Sequence, residues 1–396
     1  MHFDYTPEQE DFRKSLRAWL EANLPADLTV DDPIDERVAP DRETFVRRVE
    51  WQRKMHAAGW VGISWPREYG GRGVTLLEQI IFDDECFRAR APVLPGYSGI
   101  NMAGPTLIEW GNDAQKRRFL PRILAGDDIW CQGYSEPGAG SDLAGLQTRA
   151  EDRGDHFVVN GQKVWTSGAQ FADWIYLLVR TDPKAPKHRG ISYLLVDMKS
   201  PGITVRPLVL MNGHQHFNEV FFVDVAVPME NLVGRVHEGW KPAMTTLMYE
   251  RKGGGGRGHA EQIARLGALA RDVTIDGRPA WERATIRQQF AQLAIEATCL
   301  RYTRLRNLTR QLRGEPPGPE GSILKLFGSE LGVRIADFAG DLLGPHVLVN
   351  RASEAVPDAP RWYNRVVSAR QYTIAGGTSE IQRNIIGERV LGLPKG

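Results

Sequence analysis

The apolar residues of this chain change their spacing twice, and that change limits the folds open to it. From residue 1 to about 125 they recur at helical intervals. Thr6-Pro7-Glu8-Gln9 reads as a helix start, with Thr6 as the cap, Pro7 in the first turn and Gln9 at the capping-box position. Phe12, Leu16, Trp19 and Leu20 then share one helical face. Pro25 and the acidic, proline-containing segment 31–40 break the pattern, which resumes around 45–58 and 76–88. From about 126 to 235 the period is that of strands. His156-Phe157-Val158-Val159, Asn160-Gly161 and Gln162-Lys163-Val164-Trp165 together predict a hairpin, because Asn-Gly suits a tight type I′ turn. Residues 174–179, 191–196, 203–205 and 220–225 are further strand-like runs. From about 236 onward helical spacing returns. Ile286, Phe290, Leu293, Ala297 and Leu300 form one stripe, and Ile323, Leu326, Phe327, Ile335, Phe338 and Leu342 mark another, with a Pro/Gly linker at 314–321 between them. The expectation is an α+β chain: an N-terminal α-helical domain (1–125), a middle β-barrel or sandwich domain (126–235) and a C-terminal helical bundle (236–396).

Composition narrows the function classes. The 50 basic and 49 acidic side chains leave a net charge of +1, without the basic excess of a nucleic-acid or anionic-membrane binder. No apolar run approaches the ~20 residues of a membrane span. Cys86, Cys131 and Cys299 are far apart and odd in number, so neither a disulfide framework nor a zinc spacing is present. With an acidic, signal-free N-terminus, these features lead us to expect a cytoplasmic protein without nucleic-acid or membrane partners. His214-Gln215-His216 has no further ligand cluster at metal spacing and reads as a loop pair. Gly253-x-Gly255-x-x-Gly258 matches a dinucleotide fingerprint only formally, since no strand ends before it. The arginines 301, 304, 306, 310 and 313 read as a solvated or oligomer-facing helix surface.

Three strings can carry chemistry. Residues 134–142 read Y-S-E-P-G-A-G-S-D: a rigid turn at Pro137, glycines at 138 and 140, hydroxyls at Ser135 and Ser141, and two acids. Glycines let a backbone approach a ligand, and free N–H groups and hydroxyls suit phosphates or a flavin edge. The same residue types also make ordinary turns. Residues 163–168, K-V-W-T-S-G, set an indole beside hydroxyls, able to cover a flat ring and bond to its edge. A core tryptophan beside a turn is the plainer reading. Residues 370–383, R-Q-Y-T-I-A-G-G-T-S-E-I-Q-R, open a helix behind two glycines. Such a start offers N–H groups to an anion, or is a plain N-cap at Thr378 or Ser379.

In this order, over nearly the whole chain, the three strings resemble the acyl-CoA dehydrogenase family. The resemblance implies FAD as cofactor, an acyl-CoA substrate oxidised between its α and β carbons, and an electron-transfer flavoprotein as acceptor. It implies that Trp165 packs on the flavin and Ser167 bonds near N5, although Gly168 stands where the family usually has Asn. Tyr134, Ser135 and Ser141 are then cofactor residues, Ser141 also facing the thioester, while Thr378 and Glu380 hold FAD phosphates and ribose. Many members carry their base directly before the Gly-Thr of the C-terminal string, where this chain has Gly376, followed by Gly377. The isovaleryl and long-chain types carry it instead in an E-R pair, which here is Glu250-Arg251. Glu250 is therefore the expected base, with Arg251, Gly376 and Gly377 near the substrate. The glycines 253–256 would leave room for a branched or ring-bearing acyl group, or simply break the helix. Two family elements are altered: Arg278 is a stand-in for an arginine that reaches the FAD pyrophosphate of a neighbouring subunit, and Asp341 falls in the adenine-side element. A homotetramer, a dimer, or a heterotetramer with a related subunit follows. The rival readings are an acyl-CoA oxidase or flavin monooxygenase on the same fold, and a non-catalytic subunit that shares FAD sites.

Overall fold

The computed structural model describes residues 5–30, 38–250, 257–315, 318–349 and 358–394. The chain divides into two compact units, Met1–Gly253 and Gly254–Gly396. It runs from helices through a β-sheet to helices again, as the changing period predicts.

The first unit opens with α1 (Pro7–Asn23), whose capping box is the expected one: Thr6 Oγ1 accepts from the Gln9 N–H, and Gln9 Oε1 accepts from the Thr6 N–H. Leu16 and Leu20 point into the core. α2 (Arg42–Ala57) begins before the apolar stripe because Asp41 caps it, accepting from the Thr44 N–H at 2.7 Å. α3 (Leu76–Arg88) matches its predicted span and carries a second capping box, Thr75 with Glu78. α1 and α3 are bolted by Glu85. Its buried carboxylate accepts from Arg17 Nε (2.8 Å), Arg17 Nη2 (2.7 Å) and Arg88 Nε (2.9 Å). Burial pushes the Glu85 carboxyl up, but the two guanidinium groups win and hold it at about 2. A π-helical turn (Gly99–Ala103), α4 (Gly104–Trp110) and α5 (Asp113–Ala125) complete the helical part.

Eight strands form one sheet: β1 (Trp130–Gly133), β2 (Arg149–Asp152), β3 (His156–Lys163), β4 (Trp174–Arg180), β5 (Ile191–Asp197), β6 (Ile203–Leu208), β7 (Phe217–Pro228) and β8 (Leu232–Val233). Their order is β6-β7-β3-β2-β4-β5-β8, with β1 paired in parallel to β4. β4 and β5 are apolar on both faces. Tyr176, Leu178, Tyr193 and Leu195 pack toward the helices, against Leu107, Phe119 and Trp130. Ile175, Leu177, Leu194 and Val196 face the other way and meet Phe157, Val159, Phe222 and Val225 from β3 and β7. Side chains from distant strands of one sheet thus share one cluster, so the sheet folds over its own core. α6 (Trp240–Glu250) then packs against β5 and the π-turn.

The predicted Asn160-Gly161 hairpin does not form. His156–Lys163 is one strand, antiparallel to β2 on one side and β7 on the other, with a bulge between Val159 and Gly161. Asn160 spends its side chain on Asp224, donating to Oδ1 at 2.9 Å and accepting the Asp224 N–H at 3.0 Å. Gly161 (φ 151°) is required there, because a Cβ would sit 2.6 Å from Thr148 Oγ1.

The second unit contains α7 (Arg257–Asp272), the hairpin β9 (Thr274–Ile275) and β10 (Arg278–Pro279), α8 (Ala284–Leu312), α9 (Gly321–Leu343), α10 (Ala359–Ser368) and α11 (Ser379–Ile385). Ile286, Leu293, Ala297 and Leu300 of the predicted stripe are buried with Leu331, Ile335, Phe338 and Leu342. No described helix is long and apolar enough to cross a membrane. All three cysteines are free.

Replacing Glu85 by Gln is expected to destabilise the protein by about 2–3 kcal/mol at neutral pH, since two buried guanidinium contacts lose their counter-charge. The folded-state value lies below the unfolded one of 4.5, so the contribution is complete above 4.5 and disappears as pH falls through about 2. Urea unfolding of both proteins across that window should show the gap closing.

Candidate active site

The chain leaves β1 and turns sharply at Pro137-Gly138, where the N–H and C=O groups of Glu136 and Ala139 exchange two hydrogen bonds of 3.0 Å. Proline presets the first central φ of such a turn. Tyr134 is buried, its ring edge-on to Tyr176 at 5.8 Å and to Tyr193 at 6.3 Å. Ser135 is half-buried, and Ser141 and Asp142 are exposed, Asp142 paired with Lys187. Gly138 and Gly140 keep negative φ, and a Cβ on either would meet nothing within 4 Å. Their role is open surface above the loop, not an unusual backbone conformation.

Behind this surface lies an ion pair that sequence reading passed over. Lys163, the last residue of β3, is fully buried, and its Nζ donates to Glu136 Oε1 at 2.8 Å and to the Tyr134 carbonyl at 3.0 Å. Glu136 also accepts the N–H groups of Gln147 (2.6 Å) and Thr148 (2.9 Å). Burial pushes the Lys163 ammonium down to about 8, partly offset by Glu136. Burial pushes the Glu136 carboxyl up, but Lys163 and the donors outweigh it and hold it low. The lysine shows the net penalty because it is the more deeply enclosed partner. Lys163 follows Phe157 and Val159 at even spacing along β3, an alternation that puts its charge on the inward side, where it demands a buried partner.

Two residues on, Trp165 adopts φ 62°, a left-handed conformation that a bulky side chain rarely takes. Its indole is 58% exposed and touches only the edge of Phe217, at 5.8 Å, among aromatic neighbours. The backbone on either side is held. The Val164 N–H donates to the Ser135 carbonyl at 2.9 Å, and Thr166 exchanges two backbone bonds with buried Asn218. Asn218 Nδ2 adds a bond to the Thr166 carbonyl at 3.0 Å. Ser167 is exposed, and Gly168 (φ 69°) donates its N–H to the His216 carbonyl. His214 and His216 lie in the loop before β7, and no metal-binding cluster exists among the described residues.

Glu250 is the last residue of α6 and is half-buried. α6 is anchored by Thr246, whose hydroxyl shares a hydrogen with Thr106 Oγ1 (2.8 Å) and Tyr193 Oη (3.3 Å). Burial raises the Tyr176 hydroxyl far above its ordinary range, and the charges around it, Glu250 among them, act on it too. Arg251 and the glycines 253–256 lie outside the described residues.

In the second unit, Gly376 (φ 66°) and Gly377 (φ 95°) form a left-handed turn before α11. Fully buried Gln382 donates to both of their carbonyls (3.0 and 3.2 Å), and Lys325 Nζ donates to that of Gly377. Thr378 caps α11, accepting from the Ile381 N–H at 3.2 Å. The hydroxyl of Ser379 is buried without a protein partner. Glu380 is exposed near Arg383, its carboxyl held low first by its own backbone N–H and then by the Thr378 hydroxyl. Arg278 is exposed on the β9–β10 hairpin, whose turn is Asp276-Gly277, and Asp341 is exposed near the end of α9. The structure therefore joins the 134–142 and 163–168 strings through one buried pair, and brings Gly376, Gly377 and Thr378 into one turn.

Comparison with known proteins gives a consistent picture. The N-terminal, middle and C-terminal acyl-CoA dehydrogenase domains match residues 6–127, 131–225 and 237–391. The chain is 38% identical to acyl-CoA dehydrogenase IpdE1 of Mycobacterium tuberculosis, over 98% of each chain. It is 35% identical to acyl-CoA dehydrogenase FadE26 of the same organism, over 100% of this chain and 99% of the other. Among solved structures it superposes on a chain of the ChsE4-ChsE5 complex from Mycobacterium tuberculosis with a TM-score of 0.84 and 35% identity, covering 100% of both chains. A structure described as the Tcur3481-Tcur3483 steroid ACAD gives a TM-score of 0.86 at 32% identity, again over 100% of both.

Gly377→Ala is expected to lower stability by about 1–3 kcal/mol, from left-handed strain plus displacement of Gln382, whose Nε2 would lie 2.6 Å from the new Cβ. Thermal unfolding of the purified variant measures it, and a melting temperature equal to the parent's would refute the clamp.

Proposed function

The chain belongs to the acyl-CoA dehydrogenase family of oxidoreductases, and we propose that it removes the α and β hydrogens of an acyl-CoA, with Glu250 as the base. The observation that carries this reading is the pairing of a half-buried acid at the end of α6 with a glycine, Gly376, at the other family position. Gly376 offers no side chain to take a proton, and its left-handed φ disfavours an acid there. A half-buried carboxylate at the end of a helix that Thr246 anchors suits abstraction of a proton activated by a thioester.

The residues present fit FAD. An exposed indole in a strained conformation, with the Ser167 hydroxyl two residues on, supports a planar ring held against Trp165. The orphan hydroxyl of Ser379 beside Thr378 supports a polar group at the start of α11. FAD, when bound, supplies the acceptor for the two electrons that leave the β carbon. Ser135 and Ser141 would orient the ring and thioester, Thr378 and Glu380 the phosphates and ribose, with Tyr134 forming the buried floor of the loop.

A ring-bearing acyl chain is favoured, because one relative is described as a steroid ACAD. Heteromeric assembly is favoured too: two relatives are solved as pairs of different chains, ChsE4-ChsE5 and Tcur3481-Tcur3483. In this chain the stand-in Arg278 sits on a short exposed hairpin. An electron-transfer flavoprotein is the proposed acceptor.

The test is Glu250→Gln. The variant should keep its flavin yet lose turnover of a ring-bearing acyl-CoA by about 10³-fold, with a dye as acceptor. Substrate-driven bleaching of the flavin at near-parental rate would assign the proton to another group.

A further inference from the structure

The structure assigns Glu136 and Lys163 a positioning role: their buried pair holds the 134–142 loop and the Trp165 turn as one ligand-receiving surface. The inference rests on the flavin reading for the identity of that ligand, but not for the geometry. The two side chains join three pieces of chain. Lys163 closes β3, Glu136 sits in the loop, and the N–H groups of Gln147 and Thr148, just before β2, complete the carboxylate shell. Lys163 Nζ also takes the Tyr134 carbonyl, next to Ser135, and the Ser135 carbonyl takes the Val164 N–H. Glu136 is therefore next to Ser135 and one residue before the Pro137-Gly138 turn, and Lys163 is two residues before Trp165, while neither can itself reach a ligand, Lys163 being fully enclosed.

A buried ion pair is a poor device for stability alone, because desolvation cancels much of its attraction. It is a good device for fixing geometry, since the charges tolerate only one arrangement. Trp165 needs such a device. A strained backbone persists only where its surroundings over-determine it, and this one is held on one side by the Lys163–Glu136 pair and on the other by Asn218. Without the pair, the turn should relax to an ordinary φ and carry the indole away from the loop.

Three variants test this: Glu136→Gln/Lys163→Met, which removes both charges at similar volume, Glu136→Asp, which keeps the charge but shortens its reach, and Lys163→Arg, which keeps a cation of different shape. Without any ligand, amide hydrogen exchange of residues 164–166 should accelerate about 10-fold or more in the double variant, with smaller changes in the rest of β3. FAD affinity, measured by flavin fluorescence, should fall about 10-fold in the double variant and about 3-fold in Glu136→Asp. The visible circular dichroism of the bound flavin should change in both, and Lys163→Arg should retain part of the parental signal. Parent-like exchange, affinity and dichroism in the folded double variant overturn the inference. If the double variant does not fold, a parent-like Glu136→Asp overturns it equally. A parent that binds no FAD, alone or with a related subunit, overturns the flavin reading while the exchange rates still decide the role of the pair.

Discussion

The β4–β5 hairpin is buried on both faces, and the first unit is assembled around that fact. Six consecutive buried side chains in each strand, all apolar but Ser192, must be covered on both sides. Helices cover one side and the folded-over half of the sheet covers the other. Burial of this kind contributes about 25 cal/mol for each Å² of apolar surface removed from water, and it is indifferent to direction. It therefore assembles the layers without specifying the loops at their edge. Polar contacts fix those loops instead. The Glu136–Lys163 pair and the Asn218–Thr166 bonds are the directional part of an otherwise non-directional core.

How much of this was legible in the sequence depended on whether the deciding contact was local. Thr6 with Gln9 and Thr75 with Glu78 are contacts across three residues, and both helix starts were readable from such patterns. The strands of the sheet were readable from period and composition. Asn160-Gly161 was misleading for a physical reason. The dipeptide makes a turn when its two arms have only each other to pair with. Here β2 and β7 compete for both arms and win, and Asn160 is drawn to Asp224 across 64 residues. At Asp276-Gly277 the arms are two residues each and pair with one another, so the same chemistry makes the turn. The Glu136–Lys163 contact spans 27 residues, so neither string by itself reveals the partner of its buried charge.

Glycine plays different parts in the 134–142 and 370–383 strings. At 138 and 140 the absent side chains leave open surface, and the backbone is ordinary. At 376 and 377 the backbone is left-handed, and Gln382 locks the carbonyls in place. An acid restored at 376 would have to adopt that conformation at a cost of about 1–2 kcal/mol. Glu250, at the end of α6, carries its carboxylate without such backbone strain.

Five described residues other than glycine have positive φ: Arg90, Trp165, Asp224, His237 and Asp276. Four of them have a structural account. Asp224 and Asp276 are acids of the kind that tolerate the left-handed region, Asp224 bound to Asn160 and Asp276 within a hairpin turn. Arg90 ends α3, where such a residue commonly closes a helix. His237 bonds through its ring to Thr181 and through its N–H to Ser192. Trp165 is different. It combines strain with an indole mostly in solvent, so the fold gains little apolar burial from a side chain that it holds at a cost. Neighbouring residues impose the conformation, and nothing in the described chain benefits from it. The strain leaves the indole open to solvent, with the exposed Ser167 hydroxyl two residues on.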